Sequence, residues 1–244
     1  ALDVIADKQQ REIVQYAATD LRNAKVEVIH VIHHERVLGA QLFAHEQRVL
    51  TWSRDGTARV WDVRTGKAVG DIMRHKGTVL GAKLFANEQR VLMWSWDGAV
   101  QVWNIRTGKS VGEPIRHQGG VLGAQLFNDE QRVLTWSEDN TARVWDVSTG
   151  KSEGEPMRHE GGVLGAQLFA DEQRVLTWSE DNTARVWDVS TGQAVGEPMN
   201  HQQKIIGAQL FASGQRFLTW SEDKNVRIWD ISTGQVVGEP MRHE

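Results

Sequence analysis

The chain has 244 residues, 40% of them apolar and 25% charged, an ordinary globular balance with enough apolar mass for a sizeable core. A net charge of −4 and no run of basic residues give no electrostatic pull toward nucleic acid. With no cysteine there is no disulfide framework, thiolate metal site or cysteine nucleophile, and no apolar stretch approaches the length of a transmembrane helix. The N-terminus also lacks the basic start and apolar run of a signal peptide, so a cytoplasmic location is the expectation.

Taken in chain order, residues 1–24 read as a helical connector. Ile13, Val14, Ala17, Ala18 and Leu21 recur at helical spacing, Asp7 is a candidate N-cap and Asn23 a candidate stop, which predicts an amphipathic helix over about 8–22. Residues 25–32, KVEVIHVI, alternate as a strand. Moving forward by 42 residues aligns this strand with KAVGDIMR from Lys67, so it reads as an extra copy of the last strand of a repeat.

Five whole units of 42 residues follow, at 33–74, 75–116, 117–158, 159–200 and 201–242. Their recurring stretch is TWSRDGTARVWDV from Thr51, which returns from Met93, Thr135, Thr177 and Thr219. Each copy is two short apolar-polar alternations joined by a tight turn such as Asp-Gly or Asp-Asn, a hairpin signal. In the third unit VLGAQLF from Val121 reads as strand a, RVLTWS from Arg132 as strand b, ARVWDV from Ala142 as strand c and SEGEPM from Ser152 as strand d. Such a period with four strands per unit predicts an all-β fold: a β-propeller of four-stranded antiparallel blades over 25–244, five full repeats plus one extra outer strand, preceded by the short helix. Gly-Ala in every strand a suggests inner strands converging near an axis, and the four prolines at one position of strand d mark it as the outer edge. Units three and four match at 36 of 42 positions, which argues for a shared architectural role and against one unique catalytic centre.

These repeats resemble the WD-repeat family, bacterial WD-repeat arrays in particular, with a His before strand a, an Asp in the b–c turn and Trp-Asp closing strand c. The resemblance implies a hydrogen-bonded tetrad in each unit: His33, Thr51, Asp55 and Trp61 in the first, His117, Thr135, Asp139 and Trp145 in the third, His159, Thr177, Asp181 and Trp187 in the fourth, and His201, Thr219, Asp223 and Trp229 in the fifth. The second unit departs, because Met93 stands at the hydroxyl position beside His75, Asp97 and Trp103, and Asn104 replaces the final Asp. Tryptophans at 52, 94, 136, 178 and 220, where the family carries a small residue, are expected to fill space between neighbouring sheets.

A His beside an Asp in each unit invites a general-base or metal reading. Mutual satisfaction of a buried polar cluster is the stronger one, and no nucleophile elbow, phosphate loop or zinc spacing accompanies it. The expectation is therefore a non-enzyme with no cofactor and no metal. The resemblance implies a protein- or peptide-binding scaffold whose contacts come from the residue before each turn Asp, namely Arg54, Trp96, Glu138, Glu180 and Glu222. Trp96 is singled out, because an exposed tryptophan in a polar turn suits an interface anchor, and neighbouring carboxylates suit a partner carrying Arg or Lys. A second reading makes the chain the sensor or regulatory end of a larger bacterial signalling enzyme. Finally, His243 and Glu244 match His159 and Glu160 and would begin a sixth unit. The sequence is thus expected to be a fragment of a longer array, with five units in an open arc that self-associates through its bare faces.

Overall fold

The computed structural model describes residues 13–19 and 26–242. Strands β1 (Ile13–Thr19) and β2 (Val26–His33) pair antiparallel as a two-stranded sheet, from Ile13 opposite His33 to Thr19 opposite Val26. The predicted helix is corrected here. Ile13, Val14 and Tyr16 favour extended backbone, a lone helix of about 15 residues is marginal in water, and pairing with β2 satisfies both backbones at once. The rest of the expected helix, 8–12 and 20–22, lies outside the described residues, as do His243 and Glu244.

Five four-stranded antiparallel sheets follow, each built from consecutive strands. The first is β3 (Val37–Phe43), β4 (Arg48–Ser53), β5 (Thr57–Asp62) and β6 (Ala68–Arg74), and the second β7 (Val79–Leu84), β8 (Arg90–Ser95), β9 (Ala99–Asn104) and β10 (Ser110–Arg116). The third is β11 (Val121–Leu126), β12 (Arg132–Ser137), β13 (Thr141–Asp146) and β14 (Ser152–Arg158). The fourth is β15 (Val163–Leu168), β16 (Arg174–Ser179), β17 (Thr183–Asp188) and β18 (Met199–Asn200), and the fifth β19 (Ile205–Leu210), β20 (Arg216–Ser221), β21 (Asn225–Asp230) and β22 (Met241–Arg242). Strand d is one edge of every sheet and strand a the other, and at an edge a proline costs no ladder hydrogen bond; β10 and β14 carry Pro114 and Pro156 within the strand.

The propeller expectation is also corrected. The described residues form five separate repeat sheets and no closed propeller; no helix is present among them, and β2 pairs with β1 alone. The edge of the fifth sheet that β2 might have occupied belongs to β22, with Val226 opposite Met241. The chain separates into two compact units, Ala1–Val111 and Gly112–Glu244.

Within each unit, period-2 patterning gives every sheet two apolar faces, and neighbouring sheets bury them against one another. In the first unit Leu50, Val60 and Met73 of the first sheet pack with Val79, Leu84 and Val91 of the second. Ile32 of β2 packs on Val49 and Trp61. In the second unit Leu134, Val144 and Met157 meet Val163, Ala166 and Leu168 of the next sheet, and Leu176, Val186 and Met199 meet Ile205 and Ala208 in the same way.

The recurring tryptophans contribute to these layers, since Trp52, Trp136 and Trp178 lie half-buried against them. They also supply the reason for the strand-a glycines. Gly123 sits directly opposite Trp136, and a Cβ on Gly123 would lie well inside contact distance of the indole ring. The same holds for Gly39 under Trp52, Gly81 under Trp94, Gly165 under Trp178 and Gly207 under Trp220. Glycine is required for the space above it, not for convergence of strands on an axis.

Candidate functional site

Each b–c turn needs one residue in the left-handed region, supplied by Gly56, Gly98, Asn140, Asn182 and, at φ 62°, Lys224. The preceding Asp folds back over this turn. In the third sheet Asp139 Oδ1 accepts from the Thr141 backbone N–H at 3.0 Å and from the Thr141 hydroxyl at 2.6 Å. Its other oxygen accepts from the Gln118 N–H at 3.0 Å and from His117 Nδ1 at 2.8 Å.

The proton order along the cluster then follows from chemistry. Trp145 Nε1 can only donate, and it does so to Thr135 Oγ1 at 2.7 Å; the Thr135 hydroxyl donates to His117 Nε2 at 2.7 Å, leaving Nδ1–H for the carboxylate. His159, Thr177, Asp181 and Trp187 repeat this at 2.7–2.8 Å, and His201, Thr219, Asp223 and Trp229 at 2.7–2.9 Å. These histidines are buried, and both ring nitrogens of each are engaged.

The first sheet corrects one assignment. Its histidine is His34, not His33: His34 Nδ1 lies 2.8 Å from Thr51 Oγ1, and Trp61 Nε1 donates to that same oxygen at 2.8 Å. The physical reason is the pairing of β2. Its alternation carries Ile32 and His34 inward and leaves His33 exposed. His34 Nε2–H then donates to Thr57 Oγ1 at 2.7 Å, and the Thr57 hydroxyl passes the link to Asp55 at 2.7 Å. In the second sheet Met93 is fully buried, Trp103 Nε1 finds no acceptor, and His75 stands 3.9 Å from Asp97. Asn104 nevertheless keeps the turn that the other sheets build on Asp, accepting from the Thr107 N–H at 3.0 Å.

Two contributors lie outside the tetrads. Thr57, Thr141 and Thr183 tie the turn Asp to the histidine, signalled by Asp-x-Thr in three of the turns. The buried serine ending strand b joins two loops: Ser179 Oγ accepts from the Asp181 N–H at 3.1 Å and donates to the Gly161 carbonyl at 3.0 Å.

Electrostatics follow the hydrogen bonds. Burial alone would raise the Asp139, Asp181 and Asp223 carboxyls, but hydrogen bonds from His and backbone N–H groups, joined by a Thr hydroxyl at Asp139 and Asp181, prevail and hold them far below the usual range. Burial lowers His34 and His201, outweighing their Asp partners. Asp146, closing strand c, is brought to about 2 by hydrogen bonds from Ser148 and Thr149.

Above these clusters stand the residues before each turn Asp. Their backbone N–H groups bond to the loop preceding strand a: Arg54 to the Arg36 carbonyl and Trp96 to the Thr78 carbonyl, both at 3.0 Å, in the first unit. Glu138, Glu180 and Glu222 do the same to Gly120, Gly162 and Lys204 in the second unit at 3.0–3.1 Å. The backbone is fixed and the side chains are left in solvent, with Trp96 53% exposed. Lys204 pairs with Glu222 at 3.0 Å, whereas Glu138 and Glu180 form no ion pair among the described residues.

Fold and site together define a β repeat protein whose units are four-stranded antiparallel sheets pinned by internal His-centred clusters. No family model matches the chain, and no curated protein matches it. Among solved structures it is similar to one described as the computationally designed Ika8 protein, at 21% identity and a TM-score of 0.69, covering 98% of this chain and 86% of that one. At this identity the likeness concerns the fold alone. No helix among the described residues is long and apolar enough to cross a membrane.

Proposed function

We propose that this chain is a non-catalytic binding module for extended protein segments, with Trp96 as its anchor. The observation that carries this reading is a tryptophan more than half exposed on a turn whose backbone is already held by the Thr78 carbonyl. A large rigid side chain presented on a fixed backbone loses little freedom on binding, which is why tryptophan is enriched among interface hot spots. Trp96 offers its ring face to Arg or Lys side chains of the bound segment. The His–Asp clusters support the non-catalytic half, because in the third to fifth sheets both imidazole nitrogens are committed to holding the sheet.

The test is selection of displayed peptides on the full chain, followed by affinity measurements on Trp96→Ala. Selected peptides should carry Arg or Lys and should lose about tenfold or more in affinity on the variant, with an unchanged melting temperature. Peptides that bind both proteins equally would refute the assignment of Trp96.

A further inference from the structure

Where the fourth and fifth sheets meet, inside the second unit, two devices that tie neighbouring sheets elsewhere are lost together. The first is a glutamate. Glu88 and Glu172 hold the same left-handed place in the a–b loop, at φ 53° and 54°. Each reaches back to the sheet before it: Glu88 Oε1 accepts from the Ala44 N–H at 3.1 Å and Glu172 Oε1 from the Asn128 N–H at 2.7 Å. In the fifth sheet Gly214 keeps that backbone, at φ 64°, without the carboxylate. The equivalent Ala170 N–H has no acceptor among the described residues.

The second device is the seat of strand d on the next sheet's c–d turn. A Cβ on Gly154 of the third sheet would lie 3.1 Å from the Ser190 carbonyl oxygen, and the adjacent Glu155 N–H donates to the Thr191 carbonyl at 3.4 Å. A Cβ on Gly196, one repeat later, would meet nothing within 4 Å. The inner strands stay joined, since the Leu210 N–H donates to Gln167 Oε1 at 3.2 Å as the Leu168 N–H does to Gln125 Oε1 at 3.1 Å. The outer half opens into a cavity of about 600 Å³, a volume usual for small-molecule sites, whose lining includes Arg174, Val195, Gly196, Gly214, Asp230 and Ile231.

The lining selects the ligand. Arg174 contributes a guanidinium whose Nε and Nη2 engage Asp171 at 3.2 and 2.9 Å, which leaves Nη1 to donate. Val195, 43% exposed, and half-buried Ile231 supply apolar surface. Asp230 adds a negative charge that opposes a second anionic group. Between the third and fourth sheets, the Glu172 carboxylate already sits on Asn128, whose neighbour Asp129 is paired with Arg132 as Asp171 is with Arg174, so such surroundings accept one carboxylate. We infer that the cavity binds a free aliphatic monocarboxylate. Its carboxylate takes the acceptor role of the lost glutamate at the Ala170 N–H, Arg174 Nη1 gives a second hydrogen bond, and its chain covers Val195 and Ile231.

The experiment is a titration of the whole chain with hexanoate, followed by amide NMR shifts and calorimetry. Hexanoate should move the Ala170 and Gly214 amide resonances saturably, and hexanol, which lacks the charge, should bind about tenfold or more weakly. Gly214→Glu puts a tethered carboxylate in the site, on a turn where glutamate stands at positive φ in the other four repeats. It should melt no lower than the parent and lose hexanoate binding. An Ala170 resonance that does not move, hexanol binding equal to that of hexanoate, or undiminished binding by Gly214→Glu would overturn the inference. So would a capped glutamate peptide that binds more tightly than hexanoate, which would assign the site to a side chain of a partner protein.

Discussion

Thr135 is the residue on which the third sheet's cluster turns, because one hydroxyl serves both the indole of Trp145 and the imidazole of His117. Thr135→Val keeps the shape and removes that link, leaving two buried polar groups unsatisfied at about 1–3 kcal/mol each. Asp139→Ala strips four hydrogen bonds from the turn and should cost a comparable amount. Glu138→Ala, one residue away and in solvent, should change stability by under about 0.5 kcal/mol. Urea titrations of the three variants check the ranking, and equal losses for Asp139→Ala and Glu138→Ala would contradict the cluster's role. The residues at these positions could be expected from the family resemblance, carried from unit to unit by the 42-residue period. The use of His34 could not, because two adjacent histidines are equivalent until the pairing of β2 with β1 decides which one points inward.

At the scale of the strand, the Gly123–Trp136 pair is the device that repeats. An added methyl at Gly123 must displace the indole from a half-buried layer, and overpacking of this kind typically costs about 1–3 kcal/mol. Gly123→Ala should therefore be destabilising alone and far less so in a Trp136→Ala background. A double-mutant cycle reads that coupling directly, and additive losses would show that the pair does not interact. Strand order, the bounds of strands a to c and the edge position of strand d were legible from alternation and from the prolines, whereas strand d shortens to Met199–Asn200 and Met241–Arg242 in the last two sheets. The reason for the glycines was not, since a cross-strand contact depends on register and on which face the tryptophan takes.

At the scale of the whole molecule, stability should fall on acidification in two stages. The folded pKa of His34 and His201 is lowered by burial, so their contribution is complete above the unfolded value near 6.5 and is lost as pH falls below it toward the folded value. The carboxyls of Asp139, Asp181 and Asp223 are also depressed, so their contribution is present above the unfolded value of 3.8 and disappears as pH falls through the lower folded values. Melting temperatures measured from pH 8 to pH 2 should decline first below about 6.5 and again below about 4. A flat profile between pH 7 and pH 5 would mean that the two histidines are not held neutral by burial.

Hydrophobic alternation, turn chemistry and the 42-residue period by themselves determined the repeat and its four strands, because each of these is a property of a few neighbouring residues, whereas the polar residues that pin it were implied only by the family resemblance. Tertiary structure decided everything that depends on a partner distant in the chain. It made residues 13–19 a strand where local spacing read as helix, chose His34 over its neighbour, and left five separate sheets where the period had pointed to the blades of a propeller. It also left Met241 in solvent while burying Met157 and Met199, although all three follow proline in the same motif. A side chain's environment is set by the sheet that lies over it, and the local sequence is the same whether that sheet is present or not.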